Sequence, residues 1–478
     1  MSFFNDVGQK AQALYKSTFK SIQTALLTPE TSQVVDELFH LLEEYGKGIT
    51  VPDLISGYLL LTSYYHYYHP FSKTYETVED LETYAYYCKF ANAIYGWKLI
   101  EAIINKSVGR VVTGLGTKIT TGQESEILHN LESFESYTTF NRDIIVHAEW
   151  FSHHMKPAHL VALCHDRKSI VVAIRGTMDL HDALADVICN YDTIDSLIAD
   201  APPAKCHKGM KVCAENKYKD TITALEETVE KYPDYSVVVT GHSLGAGTAG
   251  ILAYLYKLRH PQWNLQAYLF GCPPIFDIET AVYCRSFMTS FVNRDDIIPR
   301  LTFGSLYDLK AMIRACLDSN PRSSQRMWHV LTAGGNIPQS MTQKTKEFVE
   351  ANHLDFESLK QHKVNEKIFL PGRAIYLHSP KEKTINDWYG EFAENSVFDE
   401  IVLSTHMFTD HMPDQYENNI LLSIHKHTLE KDILFAEKPA EEAEGNPLAE
   451  SGSPVQVVEL KIKEETTVTQ QVDLDPSV

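Results

Sequence analysis

The chain lacks a run of about 18 consecutive apolar residues, so it offers no sequence signal for a membrane-spanning helix. Its best apolar stretch, Leu54 to Tyr68, is interrupted by Ser56, Thr62, Ser63 and His66 and reads as a buried helix. Cys-x-x-Cys pairs are missing too: Cys88, Cys164, Cys189, Cys206, Cys213, Cys272, Cys284 and Cys316 are scattered, the pattern of reduced thiols rather than a disulfide framework. The start Met1-Ser2-Phe3-Phe4-Asn5-Asp6 has no signal-peptide pattern, and the setting expected is cytoplasmic. Positive charge is in deficit. A formal net charge of -20 excludes nucleic acid as a partner class and makes non-specific attraction to anionic lipid weak. His153-His154, His165-Asp166 and His425-Lys426-His427 lack the i, i+4 histidine pair with a flanking acid that a hydrolytic zinc helix needs, so no metal or other cofactor is expected.

What is present is globular. With 478 residues, 44% hydrophobic and 22% charged, the chain can bury a large core in one α/β domain with appendages or in two to three domains. Residues 3–27 carry Phe4, Val7, Ala11, Leu14 and Ile22 at helical spacing, an amphipathic helix. Further helices are expected at Val34 to Tyr45, Leu54 to Tyr68 and Tyr84 to Ile100, making a helical N-terminal region over 1–107. From Asp143 the pattern changes to continuous apolar strands, Ile144 to Val146, Leu160 to Cys164 and Ser169 to Ile174, of the kind covered on both faces. Helix Asn216 to Lys231 and strands Ser236 to Thr240, Gln266 to Phe270, Ser286 to Val292, Ala374 to Leu377 and Glu400 to Ser404 come after these. The alternation predicts an α/β fold with a mostly parallel central sheet over 108–436, an insert over about 301–370, and a disordered acidic tail over 437–478.

The chemistry is concentrated at Ser236-Val237-Val238-Val239-Thr240-Gly241-His242-Ser243-Leu244-Gly245-Ala246-Gly247, where a β-branched strand climbs to a Gly-x-Ser-x-Gly turn and passes into a small-residue helix. Ser243 is the expected nucleophile. A serine hydroxyl needs an imidazole to take its proton and an acid to orient that imidazole, in the chain order Ser, Asp, His for this kind of turn. Val292-Asn293-Arg294-Asp295-Asp296 supplies the acid; both aspartates fit by spacing, and Asp296 is preferred because Asp295 beside Arg294 reads as a solvated charge. The base must come from His378, His406, His411, His425 or His427, with His411, just past the expected strand 400–404, first and His406 second. Backbone N–H groups must meet the oxyanion. Leu244, after the nucleophile, is one donor, and Thr177, in the glycine turn Ile174-Arg175-Gly176-Thr177, is the other. Residues 178–204 place Leu180, Leu184 and Val187 or Ile188 on one side and Asp179, Asp182 and Asp186 on the other, which reads as a lid, with an ordinary surface helix as the alternative.

These residues resemble the class 3 (fungal-type) lipase family in Ile174-Arg175-Gly176-Thr177, Gly241-His242-Ser243-Leu244-Gly245 and Asp296-Ile297-Ile298-Pro299-Arg300-Leu301. The match narrows to the diacylglycerol lipases in Val51 to Gly57, Tyr95-Gly96-Trp97, His207 to Met210, Asp308-Leu309-Lys310, Pro371-Gly372-Arg373 and Thr409-Asp410-His411-Met412-Pro413. The resemblance implies an α/β-hydrolase fold, Ser243, Asp296 and His411 as a triad, Thr177 and Leu244 near the oxyanion, and sn-1 ester cleavage of diacylglycerol. The sequence departs from the animal diacylglycerol lipases in carrying none of their membrane-spanning helices. An acylglycerol substrate reached at a membrane or lipid-droplet surface by peripheral contact is the resulting expectation. A phospholipase A1 or broad carboxylesterase would use the same machinery, and a non-catalytic lipid-binding module is a poorer fit. Oligomeric state is not legible.

Overall fold

The computed structural model describes residues 51–68, 74–104, 123–177, 190–332, 337–352, 354, 366–379 and 387–436. The expected helices at 3–27 and 34–45, lid residues 178–189 and the tail 437–478 lie outside the described residues. The chain divides into two compact units, 1–430 and 431–478, and the main sheet lies in the first.

In chain order the elements are α1 (Val51–Tyr68), β1 (Thr74–Thr77), α2 (Leu81–Ala93), α3 (Trp97–Ile104), α4 (Gln123–Thr138), β2 (Ile145–Glu149), β3 (His159–Cys164), β4 (Ser169–Ile174), β5 (Tyr191–Ile194) and β6 (Ala204–His207). Then come α5 (Lys208–Lys231), β7 (Ser236–His242), α6 (Leu244–Arg259), β8 (Leu265–Phe270), α7 (Ile278–Tyr283), β9 (Met288–Asn293), α8 (Phe303–Ser319), α9 (Ser323–Thr332), α10 (Gln339–Asn352), β10 (Arg373–His378), β11 (Tyr389–Ala393) and α11 (Pro413–Ala436).

Nine strands form one sheet in the order β1-β11-β10-β9-β8-β7-β4-β3-β2. Its five central strands, β10, β9, β8, β7 and β4, run parallel, while both flanks pair antiparallel. This is the α/β-hydrolase architecture expected from the sequence. The β-branched runs of β4 and β7 fill both faces, as inner strands do. Val237 and Val239 pack in the core that also holds α6, and Val238 in the core beneath α2 and α4. Parallel register brings Ile174 opposite Gly241, His242 opposite Phe270, and Phe270 opposite Phe291. The turns that leave β4, β7, β8 and β9 therefore open at one edge of the sheet, where ligands bind in open α/β sheets.

Two expectations are corrected. Residues 401–404 form no strand. The place beside β10 is taken by β11, and Ile401 and Leu403 are instead buried in irregular chain, with the Ile401 carbonyl accepting from Tyr65 Oη at 3.0 Å. A short apolar run has the same composition whether it pairs in a ladder or lies buried beside one. The single helix expected over 84–100 is two, α2 and α3, broken at Ile94 to Gly96. Asn130 of α4 fills the corner, its Oδ1 accepting from the Trp97 amide at 3.1 Å.

The helices of the expected N-terminal region and of the 301–370 insert pack on each other. Arg326 of α9, buried, donates to Asp53 Oδ1 at 2.6 Å and to Ser56 Oγ at 3.1 Å on α1, and Ser63 hydrogen-bonds Thr342 of α10 at 2.8 Å. Strand β1, also from the first hundred residues, completes one edge of the main sheet.

Candidate active site

Strand β7 delivers Ser243 at the opening edge of the sheet with φ 58° and ψ −132°, a left-handed conformation costing of order 1–3 kcal/mol in a non-glycine residue. The flanking glycines make that turn possible. A Cβ on Gly241 would stand 2.6 Å from the Gly245 carbonyl carbon, and one on Gly245 would stand 2.7 Å from the Gly176 amide nitrogen. Strand β7, helix α6 and the turn after β4 thus meet in backbone contact.

Three of the residues singled out in the sequence come together. His411 Nε2 lies 2.8 Å from Ser243 Oγ, and His411 Nδ1 lies 2.8 Å from Asp296 Oδ2. All three are at least nine-tenths buried. A carboxylate only accepts, so Nδ1 carries the proton and Nε2 is left to accept from the serine hydroxyl. Asp296 is fixed by two further donors, the Ile298 amide to Oδ1 at 2.9 Å and Tyr416 Oη to Oδ2 at 2.5 Å. Burial and the neighbouring Asp296 charge push the Tyr416 phenol well up, which keeps it a donor. Room for the imidazole comes from Gly271 after β8, φ 56°, where a Cβ would sit 3.1 Å from His411 Cε1.

The alternatives lie apart from this group. Asp295 and His406 join Asp410 in a separate cluster whose ligand atoms lie within 4.8 Å of one another, with Arg294 Nη1 4.0 Å from Asp410 Oδ1. Burial, first, pushes the Asp410 carboxyl up to about 7. His378 on β10 pairs with Glu391 at 2.8 Å, and His425 and His427 lie on α11.

Thr177 and Leu244 line one cleft of about 410 Å³, together with Gly176, Met155, Met210 and Cys213. The Leu244 amide is the first of α6, where a helix has no internal acceptor to offer it. The turn holding Gly176 and Thr177 packs on Ser243: a Cβ on Gly176 would be 3.2 Å from Ser243 Cβ.

Sequence reasoning missed a second histidine beneath the first. His242 Nε2 is 2.7 Å from the His411 carbonyl oxygen, which can only accept, so Nε2 carries hydrogen and Nδ1 accepts from Tyr95 Oη at 2.9 Å. The His242 and His411 rings stand 4.7 Å apart, centroid to centroid. Burial, and then the adjacent His411, push His242 far below the ordinary histidine range, so it is neutral. Tyr95 arrives from the α2–α3 corner; its only sequence signal is the Tyr95-Gly96-Trp97 motif, which says nothing of its partner.

Comparison with known proteins agrees with the motifs. Residues 171–305 match the family model Lipase (class 3). Mouse diacylglycerol lipase-beta is 25% identical over 374 residues, covering 70% of this chain and 55% of that protein, and human diacylglycerol lipase-alpha is 28% identical over 279 residues, covering 53% and 26%. The chain thus spans about half, or about a quarter, of the length of these relatives. A crystal structure of lipase from Rhizopus microsporus var. chinensis aligns with a TM-score of 0.42 and 18% identity, over 72% of this chain and 90% of that one. The similarity to the class 3 lipases thus lies in residues 171–305, which hold the turn after β4, the serine elbow and Asp296.

Proposed function

We propose that the protein is a serine-dependent lipase that hydrolyses a carboxylic ester bond of diacylglycerol or a similar acylglycerol, releasing a fatty acid and, from diacylglycerol, monoacylglycerol. The observation that carries this reading is the hydrogen-bonded line Ser243 Oγ, His411 Nε2, His411 Nδ1, Asp296 Oδ2 at the Gly-x-Ser-x-Gly turn. Ser243 Oγ attacks the ester carbonyl while its proton passes to His411 Nε2, and Asp296 holds the imidazolium that forms. The oxyanion is met by the amides of Leu244 and Thr177, each worth roughly 10²–10³ in rate. His411 returns the proton to the leaving glycerol oxygen, the acyl group stays on Ser243, and a water deprotonated by His411 then frees the acid and restores the serine.

A lipid substrate makes contact with a membrane or lipid-droplet surface part of the reading. Among the described residues no helix is long and apolar enough to cross a membrane, so the attachment proposed is peripheral. Among the described residues Cys88, Cys164, Cys206, Cys272, Cys284 and Cys316 are buried and form no disulfide, which supports a reducing, cytoplasmic setting. The test is labelling by a fluorophosphonate probe beside hydrolysis of p-nitrophenyl butyrate. Both should be abolished in Ser243→Ala, with an unchanged circular dichroism spectrum. Persistence of either in that variant would refute the assignment.

A further inference from the structure

In a chain of net charge -20, the cleft beside Thr177 and Leu244 is lined by Arg175, Lys156, His153, His154 and His207 and, among the described residues, by no aspartate or glutamate. The two cations are incompletely neutralised: Glu126 acts on Arg175 without an ion pair between them, and Lys156 shares its carboxylate. Arg175 donates from Nη1 to the Trp150 carbonyl at 3.3 Å and from Nη2 to Ser152 Oγ at 2.8 Å, both neutral acceptors, and its buried Nε has no partner among the described residues. Lys156 is 3.9 Å from Asp220, but that carboxylate already bonds the buried Lys217 at 2.7 Å. One negative charge is therefore shared by two lysines.

The wall that carries these groups is built. His153 and Lys156 exchange both backbone hydrogen bonds at 2.9 Å, closing a tight loop, and Asn216 of α5 donates to the Met155 carbonyl at 2.9 Å, pinning that loop to the helix. The first turn of the 24-residue α5 also faces the cleft through Gly209 and Met210, adding the positive end of a helix dipole. Low-dielectric walls lined by one sign of charge focus potential into the cleft even where the whole molecule has the opposite sign.

We propose that this cleft is an anion subsite for a phosphate group on the glycerol backbone of the substrate, so that among acylglycerols the site favours those bearing a phosphate over neutral ones. The proposal rests on the lipase reading above. The planar Arg175 guanidinium suits phosphate oxygens, Lys156 adds a mobile ammonium, and His153 and His154 add ring N–H donors. The acyl ester then lies toward Ser243 while the phosphate occupies the cleft.

The test compares fatty-acid release from dioctanoylglycerol and from dioctanoylglycerol 3-phosphate, each dispersed in the same neutral detergent micelle, by the full chain and by Lys156→Glu and His153→Gln/His154→Gln. The native protein should show a kcat/KM ratio of about tenfold or more in favour of the phosphate ester at low salt, falling severalfold in 0.5 M NaCl as screening shortens to a few ångströms. Either variant should reduce that ratio at least fivefold. A native ratio of one or less, or a ratio that neither variant moves, overturns the proposal. Inorganic phosphate added to the p-nitrophenyl butyrate assay separates the sources of anion: competitive inhibition with no preference between the two lipids means a free-anion site and overturns the headgroup assignment. Binding of Ser243→Ala to the two kinds of micelle needs no chemistry. Selective binding of phosphate-bearing micelles without hydrolysis by the native protein would refute the lipase reading and leave the subsite standing.

Discussion

Tyr95→Phe removes one oxygen atom from the packing beneath the base, and its effect can be worked from the geometry. The phenol donates at 2.9 Å to His242 Nδ1, while His242 Nε2–H is held by the His411 carbonyl at 2.7 Å. His242 cannot shift its proton to Nδ1 without breaking the second bond, so the variant leaves a buried acceptor unpaired. Tyr95 and His242 are 4% and 2% exposed, and water has little access. An orphaned buried acceptor costs about 1–3 kcal/mol. Part of that loss should appear as a melting temperature lower by a few degrees. The rest should appear in turnover, because relaxing His242 frees the backbone that aims His411 at Ser243, and about 1.4 kcal/mol of lost transition-state stabilisation is tenfold in rate. With p-nitrophenyl butyrate, kcat should fall tenfold or more while KM stays within twofold. Combining Tyr95→Phe with His242→Gln should be non-additive, as for groups in one network. Full kcat at a reduced melting temperature would mean that the phenol serves packing alone and would sink the reasoning.

Three shorter predictions come from the same site. Asp296→Asn should lower kcat by about 10⁴, as loss of the orienting acid does in serine hydrolases, and Asp295→Asn should leave it within severalfold; the reverse ranking in the ester assay would move the acid to Asp295. Gly271→Ala places a methyl 3.1 Å from the His411 imidazole at a φ of 56°, so activity should be almost lost while fluorescence-detected unfolding stays cooperative. Burial, first, pushes His159 down to about 3, and His242 is held well below its usual range, so both are neutral when folded and take up protons on unfolding once pH drops below about 6.5. On acidification between about pH 6.5 and pH 4, Asp410, whose raised carboxyl takes up its proton in the folded protein, offsets part of the loss, and stability should still decline because the two histidines remove roughly 2–3 kcal/mol per pH unit. Urea titrations of the native protein and of His159→Gln should differ in that slope by about half of this amount.

The elbow was legible because its backbone demands leave so few residue choices: glycines two positions either side of Ser243, a β-branched strand before and a thin helix after. The acid and base were legible as a short set of candidates, since chain order and strand ends restrict them without deciding between neighbours. Asp295 and Asp296 differ by one position along the chain but by which way the turn after β9 aims each carboxylate, and one-dimensional spacing does not carry that direction. Residues 401–404 failed for a related reason, apolar side chains announcing burial and not hydrogen-bond partners. Tyr95 and Tyr416 were invisible as functional residues because each reaches its partner across more than a hundred residues, Tyr95 to His242 and Tyr416 to Asp296.

The interleaved order of the sheet bears on how far this protein can be shortened. The stretch that sequence comparison recognises, 171–305, holds the nucleophile and the acid, but the base, the tyrosine under His242 and strand β10 all lie beyond it. A fragment cut to the recognised boundaries would inherit an attacking group with nothing to deprotonate it and a sheet missing one of its five parallel members. The unit recognisable as a pattern is smaller than the unit able to fold and react, so deletion mapping should be planned from strand order rather than from the limits of similarity.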